Sequence, residues 1–273
     1  MRKFDNRPVL FLDSGIGGIP YCMDFLSRNP REEVCYIADR GHFPYGQRSR
    51  EDLTEILSSL TEQLLKSVNP KIIVIACNTA TICALEHLRR RFAQIPFVGT
   101  VPAVKPAVMT SHSGKVGILG SERTVNDPYS QKLAESFGFN GDIIGIAAAE
   151  LIEFVEQRFD KADKKEKTDI VRKYIDIFHE QGVDTIVLGC THFLFLQEEF
   201  RAEAQPEIAV LDSIDGITKR IEYLLDENES SLRSEKYFIP GRRLLLTGTS
   251  APDSFWQKRA EKYRFSLHLL NDI

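Results

Sequence analysis

Two cysteines in this chain close look-alike segments. Cys77 ends the run Ile72-Ile73-Val74-Ile75-Ala76 and is followed by Asn78 and Thr79; Cys190 ends Thr185-Ile186-Val187-Leu188-Gly189 and is followed by Thr191 and His192. They lie 113 positions apart in a chain of 273 residues, close to half its length. Each apolar run reads as a buried strand, so each cysteine falls where a strand hands over to a helix. The partial positive charge of a helix N-terminus there lowers a thiol's pKa from its usual value of about 8.5. One such cysteine alone reads as a small core residue. Two at equivalent points of similar halves, each followed by hydroxyl or amide groups, suit a different chemistry, with one base on each face of a single carbon of a small molecule.

Other strand ends carry polar residues as well. Asp13-Ser14-Gly15-Ile16-Gly17-Gly18 follows the first apolar run, and its glycines permit a tight turn in front of a helix that can receive an anion. Taken alone, the loop reads first as an ordinary strand-to-helix turn with Ser14 as a helix cap, and Asp13 reads equally as a functional carboxylate or a helix cap. The spacing matches neither dinucleotide nor P-loop glycine motifs. Asp39 follows the second run, and His42-Phe43-Pro44-Tyr45-Gly46 forms a loop that either lies plainly on the surface or offers backbone N–H groups to a carboxylate. His192, beside a helix start, is expected to be mostly neutral, because the helix dipole disfavours imidazolium. It reads equally as a functional or a hydrogen-bonded structural histidine.

These residues need a scaffold that gathers strand ends, and the rest of the sequence supplies one. Short apolar runs alternate with amphipathic segments, the pattern of an α/β fold with mainly parallel strands. Strands are expected at 8–12, 34–38, 71–76 and 96–99, and in the same order again at 115–119, 142–147, 184–188 and 207–211. The predicted architecture is two pseudo-symmetric α/β domains, 1–100 plus 213–273 and 101–212, with the site in the cleft between them. A helix is expected over about 50–67, where Leu53, Ile56, Leu57, Leu60 and Leu64 share a face behind the start signal Ser49 and Asp52. The charged run 158–173 reads as a solvated helix end or loop. A tail follows: a helix over 214–226, a polar turn from Asp226 to Lys236, a strand at 243–247 and a helix near 252–263. It belongs to neither repeat and is expected to pack on the first half.

Composition sets the outer bounds. The net charge of −4, with a pI near 5.9, argues against a general nucleic-acid binder. No apolar run approaches the roughly 18 residues of a membrane span, and the N-terminus lacks the pattern of a secretory signal. The first strand begins so near Met1 that no added regulatory segment is expected ahead of it. Five cysteines, no Cys-x-x-Cys pair and no histidines at zinc spacing speak against a disulfide framework or a structural metal. The cytoplasm is the expected compartment, with Cys22, Cys35 and Cys83 as packing residues.

Taken together, Asp13 to Gly18, Asp39 with Pro44-Tyr45-Gly46, Cys77-Asn78-Thr79-Ala80, Leu188 to His192, Val210 to Ser213, and Leu246-Thr247-Gly248 with Phe255 resemble, in order, the motifs of the glutamate racemases of the aspartate/glutamate racemase superfamily. The resemblance implies an enzyme without metal or cofactor that interconverts L- and D-glutamate and so feeds bacterial peptidoglycan synthesis. It implies that Cys77 takes the α-proton from D-glutamate, assisted by Asp13. Cys190 takes it from L-glutamate, assisted by His192 with Glu156 behind it. It assigns substrate contacts to Asp13, Ser14, Tyr45, Gly46, Asn78, Thr79, Thr191 and His192, and it implies a homodimer. The chain departs from the pattern at Ala148-Ala149, where Cys-Pro is frequent, at Phe193-Leu194, where Tyr-Pro is usual, and at Ser121, where Thr is common. None of these removes a proposed base.

Three rivals follow from the same residues. An aspartate racemase-like enzyme differs by one methylene of substrate, a discrimination of roughly 1–3 kcal/mol. A cysteine hydrolase using Cys190 and His192 leaves Cys77 with nothing to do. A non-catalytic amino-acid sensor binds glutamate without exchanging its α-hydrogen.

Overall fold

The computed structural model describes residues 5–227 and 241–272. It divides into two compact units, Met1–Thr100 with Ile214–Ile273, and Val101–Ser213. In chain order the described strands are β1 (Val9–Asp13), β2 (Val34–Ala38), β3 (Ile72–Ile75), β4 (Phe97–Gly99), β5 (Lys115–Gly120), β6 (Asp142–Ala147), β7 (Thr185–Leu188), β8 (Ala209–Leu211), β9 (Arg242–Leu246) and β10 (Ser266–Leu269). The first unit holds a six-stranded sheet ordered β10-β9-β2-β1-β3-β4, and the second a four-stranded sheet ordered β6-β5-β7-β8. Every described pairing is parallel.

The strands β1, β2 and β3 are buried along their whole length. That explains their near-continuous apolar sequences, since a parallel sheet is covered on both faces. In the first unit the helix Arg50–Ser67 turns Leu53, Leu57, Leu60 and Leu64 inward, and they join a core with Leu10, Leu12, Ile73 and Ile75. Its start is held as the sequence predicts: the Asp52 N–H donates to Ser49 Oγ at 3.0 Å. In the second unit Val116, Ile118 and Val187 pack with Val104, Ala107 and Ala134.

The repeat seen in sequence is a repeat of topology. β1-β2-β3-β4 and β5-β6-β7-β8 are laid down in the same permutation, second-first-third-fourth. It reaches individual hydrogen bonds. The Ala76 N–H donates to Leu12 O and the Gly189 N–H to Leu119 O, both at 2.7 Å. The Asp39 N–H donates to Asp13 O at 2.8 Å and the Ala148 N–H to Gly120 O at 3.0 Å. In each half the chain crosses to one side after the first strand and to the other after the second. The first and third strands therefore flank a switch point, where α/β sheets bind ligands beyond their carboxyl ends.

Some expectations shift. The charged run is a largely exposed turn over 158–163, as expected, that then opens a full helix: Asp163 and Glu166 form a reciprocal capping box, and a helix runs Lys164–Glu180 from it. Its buried stripe of Val171, Tyr174, Ile175 and Phe178 lies within and beyond the run. The tail helices are Ile214–Glu227 and Ser254–Tyr263, and the tail strand is β9, which pairs with β2. β10, a strand not expected from the sequence, extends the same sheet. Beyond Glu227, the expected polar turn lies outside the described residues. No helix among the described residues is long and apolar enough to cross a membrane.

Candidate active site

Cys77 and Cys190 are the residues at which helices begin. Cys77 caps the helix Asn78–Arg91 with extended backbone (φ −145°, ψ 119°), and Cys190 caps the short 3-10 helix Thr191–Leu196 in the same conformation (φ −133°, ψ 135°). Both are buried short of complete enclosure, at 8% and 9% exposure, whereas Cys22 and Cys35 are wholly enclosed. Burial holds the Cys22 thiol far above its ordinary range and pushes Cys35 up to about 12, which makes both inert.

In the first unit, Asp13 ends β1 fully buried, and its Oδ1 accepts the Gly15 N–H at 2.8 Å. It therefore fixes the turn and caps no helix. The following helix, Ile19–Arg28, begins at Gly18 without a side-chain cap. The turn is stapled to the sheet by Tyr36, whose hydroxyl donates to Gly15 O at 2.9 Å and accepts the Gly18 N–H at 3.1 Å. Gly18 is needed for this close approach: a Cβ there would lie 2.7 Å from Ala76 Cβ and 2.9 Å from Ala76 O. The Asp13–Gly18 turn thus rests on the residue that precedes Cys77. Ser14 and Thr79 are buried at this edge. Tyr45, also buried, and the half-buried Gly46 open a 3-10 turn after β2. Asn78 is buried at 3% exposure, and neither its Oδ1 nor its Nδ2 has a hydrogen-bond partner among the described residues. An amide so placed stands ready for a polar ligand, because nearly all buried polar groups in native folds are paired.

In the second unit, His192 stands between two partners. Its Nδ1 lies 3.8 Å from Cys190 Sγ, and its Nε2 donates to Glu156 Oε1 at 2.7 Å. Glu156 comes from the last turn of the helix Ala149–Gln157, which packs on the Thr191–Leu196 turn; an edge-on contact of Phe159 with Phe195 supports the junction. The expectation of a neutral His192 is overturned. Burial pulls its pKa down, but hydrogen bonds to Cys190 and Glu156, and their charges, outweigh it and raise the pKa well above the ordinary histidine value. The helix dipole of so short a 3-10 segment is the smaller effect. Thr191 is buried beside it. Of the residues that depart from the resemblance, Phe193, Leu194 and Ala148 are buried, Ala149 is exposed at the start of its helix, and Ser121 keeps a capping hydroxyl that accepts the Thr124 N–H at 3.2 Å.

Sequence reasoning passed over two contributors. Tyr36 looked like any strand residue. Thr247 donates its hydroxyl to Asp39, whose other oxygen accepts the Tyr45 hydroxyl at 2.6 Å. Only its place in the resemblance had marked it.

Comparison with known proteins bears on this constellation. Residues 27–220 match the model of the Asp/Glu/hydantoin racemases. The chain belongs to that family. Members similar to it include the glutamate racemase of Treponema pallidum subsp. pallidum, 34% identical over 85% of this chain and 87% of that one. Another is the glutamate racemase of a Roseiflexus species, 36% identical over 81% and 80%. Among solved racemases, Escherichia coli glutamate racemase in complex with L-glutamate and the activator UDP-MurNAc-Ala superposes with a TM-score of 0.83, at 28% identity over 96% of this chain and 97% of that one.

Proposed function

We propose that this racemase interconverts L- and D-glutamate without a cofactor, Cys77 serving one face of the α-carbon and Cys190 the other. What carries the reading is the matched pair of helix-starting thiols at equivalent strand ends of two units of the same topology. Inversion at carbon needs proton removal on one face and delivery on the other, which a single fixed base does poorly. In one direction the Cys77 thiolate removes the α-proton from D-glutamate, and the Cys190 thiol gives up its own proton to the opposite face. In the other direction the roles exchange. The α-hydrogen of an amino acid is very weakly acidic, so the carbanionic centre must be stabilised by placed hydrogen bonds and by exclusion of water.

Asp13 assists Cys77, and His192, backed by Glu156, assists Cys190. Ser14, Tyr45, Gly46, Asn78, Thr79 and Thr191 hold the substrate's carboxylates and amine, with Asp13 and His192 also touching it. The unpartnered Asn78 amide supports this assignment. The names of the relatives support glutamate as substrate, and supply of D-glutamate to peptidoglycan follows from it. A homodimer working in the cytoplasm belongs to the same reading; equilibrium sedimentation tests the first, and fractionation of cells the second.

The decisive experiment is proton NMR of L- and D-glutamate with the purified protein in heavy water. Loss of the α-proton signal from both enantiomers is expected. Binding without exchange would make the protein a sensor. Exchange of aspartate in preference to glutamate would move the substrate one methylene shorter.

A further inference from the structure

The C-terminal segment has no counterpart in the repeat, yet it reaches the edge of the sheet where the first thiol stands. β9 runs beside β2 and ends with Leu246 level with Ala38. The next residue, Thr247, meets the loop after β2. Its hydroxyl donates to Asp39 Oδ1 and accepts the Gly41 N–H at 3.1 Å. Asp39 is fully buried, and its Oδ2 takes the Tyr45 hydroxyl at 2.6 Å. The half-exposed His42 brings Nδ1 within 2.9 Å of the same carboxylate. Arg40 closes the loop on the tail by donating from Nε to Thr247 O at 2.9 Å and from its guanidinium to Ser250 O. One carboxylate therefore carries one hydroxyl from the tail on one oxygen and the Tyr45 phenol on the other. Tyr45 lies within electrostatic reach of the site: burial first, then Asp39, and also Cys77 and Asp13, hold its phenol well above the ordinary range.

We propose that Thr247 is a positioning residue for the reaction: acting through Asp39, it fixes the direction of the Tyr45 hydroxyl and the course of the loop from Arg40 to Arg48. The inference rests on the reading above for its catalytic meaning, since it takes Tyr45 as a substrate contact. Without the Thr247 hydroxyl, Asp39 Oδ1 keeps, among the described residues, only the ring of His42, and the Gly41 N–H loses its acceptor. The carboxylate, left with the His42 ring and the Tyr45 hydroxyl, is held less firmly in direction, and so is Tyr45. Such a residue acts on binding more than on the chemical step, because Tyr45 takes no part in moving the proton.

The test is Thr247→Val, which keeps the shape and removes the hydroxyl, beside Thr247→Ser, which keeps the hydroxyl. Thr247→Val is expected to raise KM for both enantiomers roughly ten-fold with kcat held within about three-fold, and Thr247→Ser to restore KM. In a Tyr45→Phe background Thr247→Val should add nothing further, because the two act as one unit. A second readout does not depend on turnover. The carbon-13 resonance of the Tyr45 Cζ, assigned by its loss in Tyr45→Phe, should move in Thr247→Val and return in Thr247→Ser. An unmoved resonance, or costs that simply add in the double variant, would overturn the positioning role. Wild-type protein inert toward glutamate would instead sink the racemase reading and leave the resonance to judge the Thr247–Asp39–Tyr45 linkage.

Discussion

At the scale of the residue, five thiols separate by setting. Cys22, on the helix Ile19–Arg28, and Cys35, in β2, are sealed in the interior, Cys83 is buried on the helix Asn78–Arg91, and Cys77 and Cys190 follow strands and begin helices. Replacing either of the latter with serine exchanges a thiol for a hydroxyl that ionises far less readily. Racemisation is expected to fall by about 10²–10⁴ in each variant, followed by loss of optical rotation of glutamate; a Cys77→Ser protein with wild-type turnover would return the chain to the hydrolase reading. His192 makes a second case. Its raised pKa depends on Glu156 and Cys190 overcoming burial. With Glu156→Gln one of the two raising partners loses its charge and the midpoint drops, which an NMR titration of the imidazole protons measures. The sign for stability follows from linkage. A histidine whose folded pKa is raised stabilises the fold below its unfolded value of about 6.5, and that contribution is lost as pH rises through the folded midpoint. Urea midpoints of wild type and Glu156→Gln should therefore differ most between about pH 5 and 6.5 and converge at higher pH. Because the enantiomers have equal free energy, any loss of kcat/KM in this variant must be the same for L- and D-glutamate.

At the scale of the element, legibility tracked how local the determining physics is. The helix Arg50–Ser67 was readable to its first residue because Ser49 caps it and leucines recur on one face. The buried strands were readable because parallel sheets demand unbroken apolar runs. The helix Lys164–Glu180 hid behind its charges, although Asp163 and Glu166 spelled a capping box that weighs more than charge content. β10 hid because Ser266 and His268 alternate with leucines on a half-exposed edge strand, a weak signal in so short a run. In the site, both cysteines and Asp13 followed from strand ends. The charge state of His192 did not, because Glu156 lies 36 positions away and only the fold brings it within 2.7 Å. The hydroxyls of Tyr36 and Thr247 were invisible for the same reason. The Asp13–Gly18 turn offers an element-level prediction. A methyl at Gly18 collides with Ala76, so Gly18→Ala should cost about 1–3 kcal/mol in urea unfolding and depress turnover by displacing the strand end that carries Cys77. Gly216, in the helix Ile214–Glu227, has open space around its Cα. Gly216→Ala should stabilise by about 0.4–1 kcal/mol with turnover unchanged, so failure of both variants alike would show a fold intolerant of any added methyl rather than a sensitive turn.

At the scale of the whole molecule, the two halves share one permutation of strands but, on the two-base reading proposed above, divide the chemistry unequally. The first ends its own first strand in a carboxylate, Asp13, proposed to assist Cys77, and the second sets an imidazole, backed by a carboxylate from a neighbouring helix, beside Cys190. At the position matching Asp13 the second unit has Gly120, and at that matching Asp39 it has Ala148. Two different assistants suit a pair that must hold opposite protonation states at once, one sulfur ready to accept and the other ready to donate. This division has a measurable signature in solvent deuterium. A thiol carries a single hydrogen, so the proton taken from the substrate remains on the sulfur that removed it, and the hydrogen delivered comes from the other sulfur, already equilibrated with solvent. In heavy water, the first product formed from either enantiomer should therefore carry deuterium at the α-carbon while the remaining substrate keeps protium. A one-base enzyme would instead return part of the original hydrogen to the product. Chiral chromatography coupled to mass spectrometry at a few per cent conversion distinguishes the two. Protium in the early product from L-glutamate, or labelled L-glutamate accumulating ahead of the D-enantiomer, would mean that the two thiols do not work as a pair.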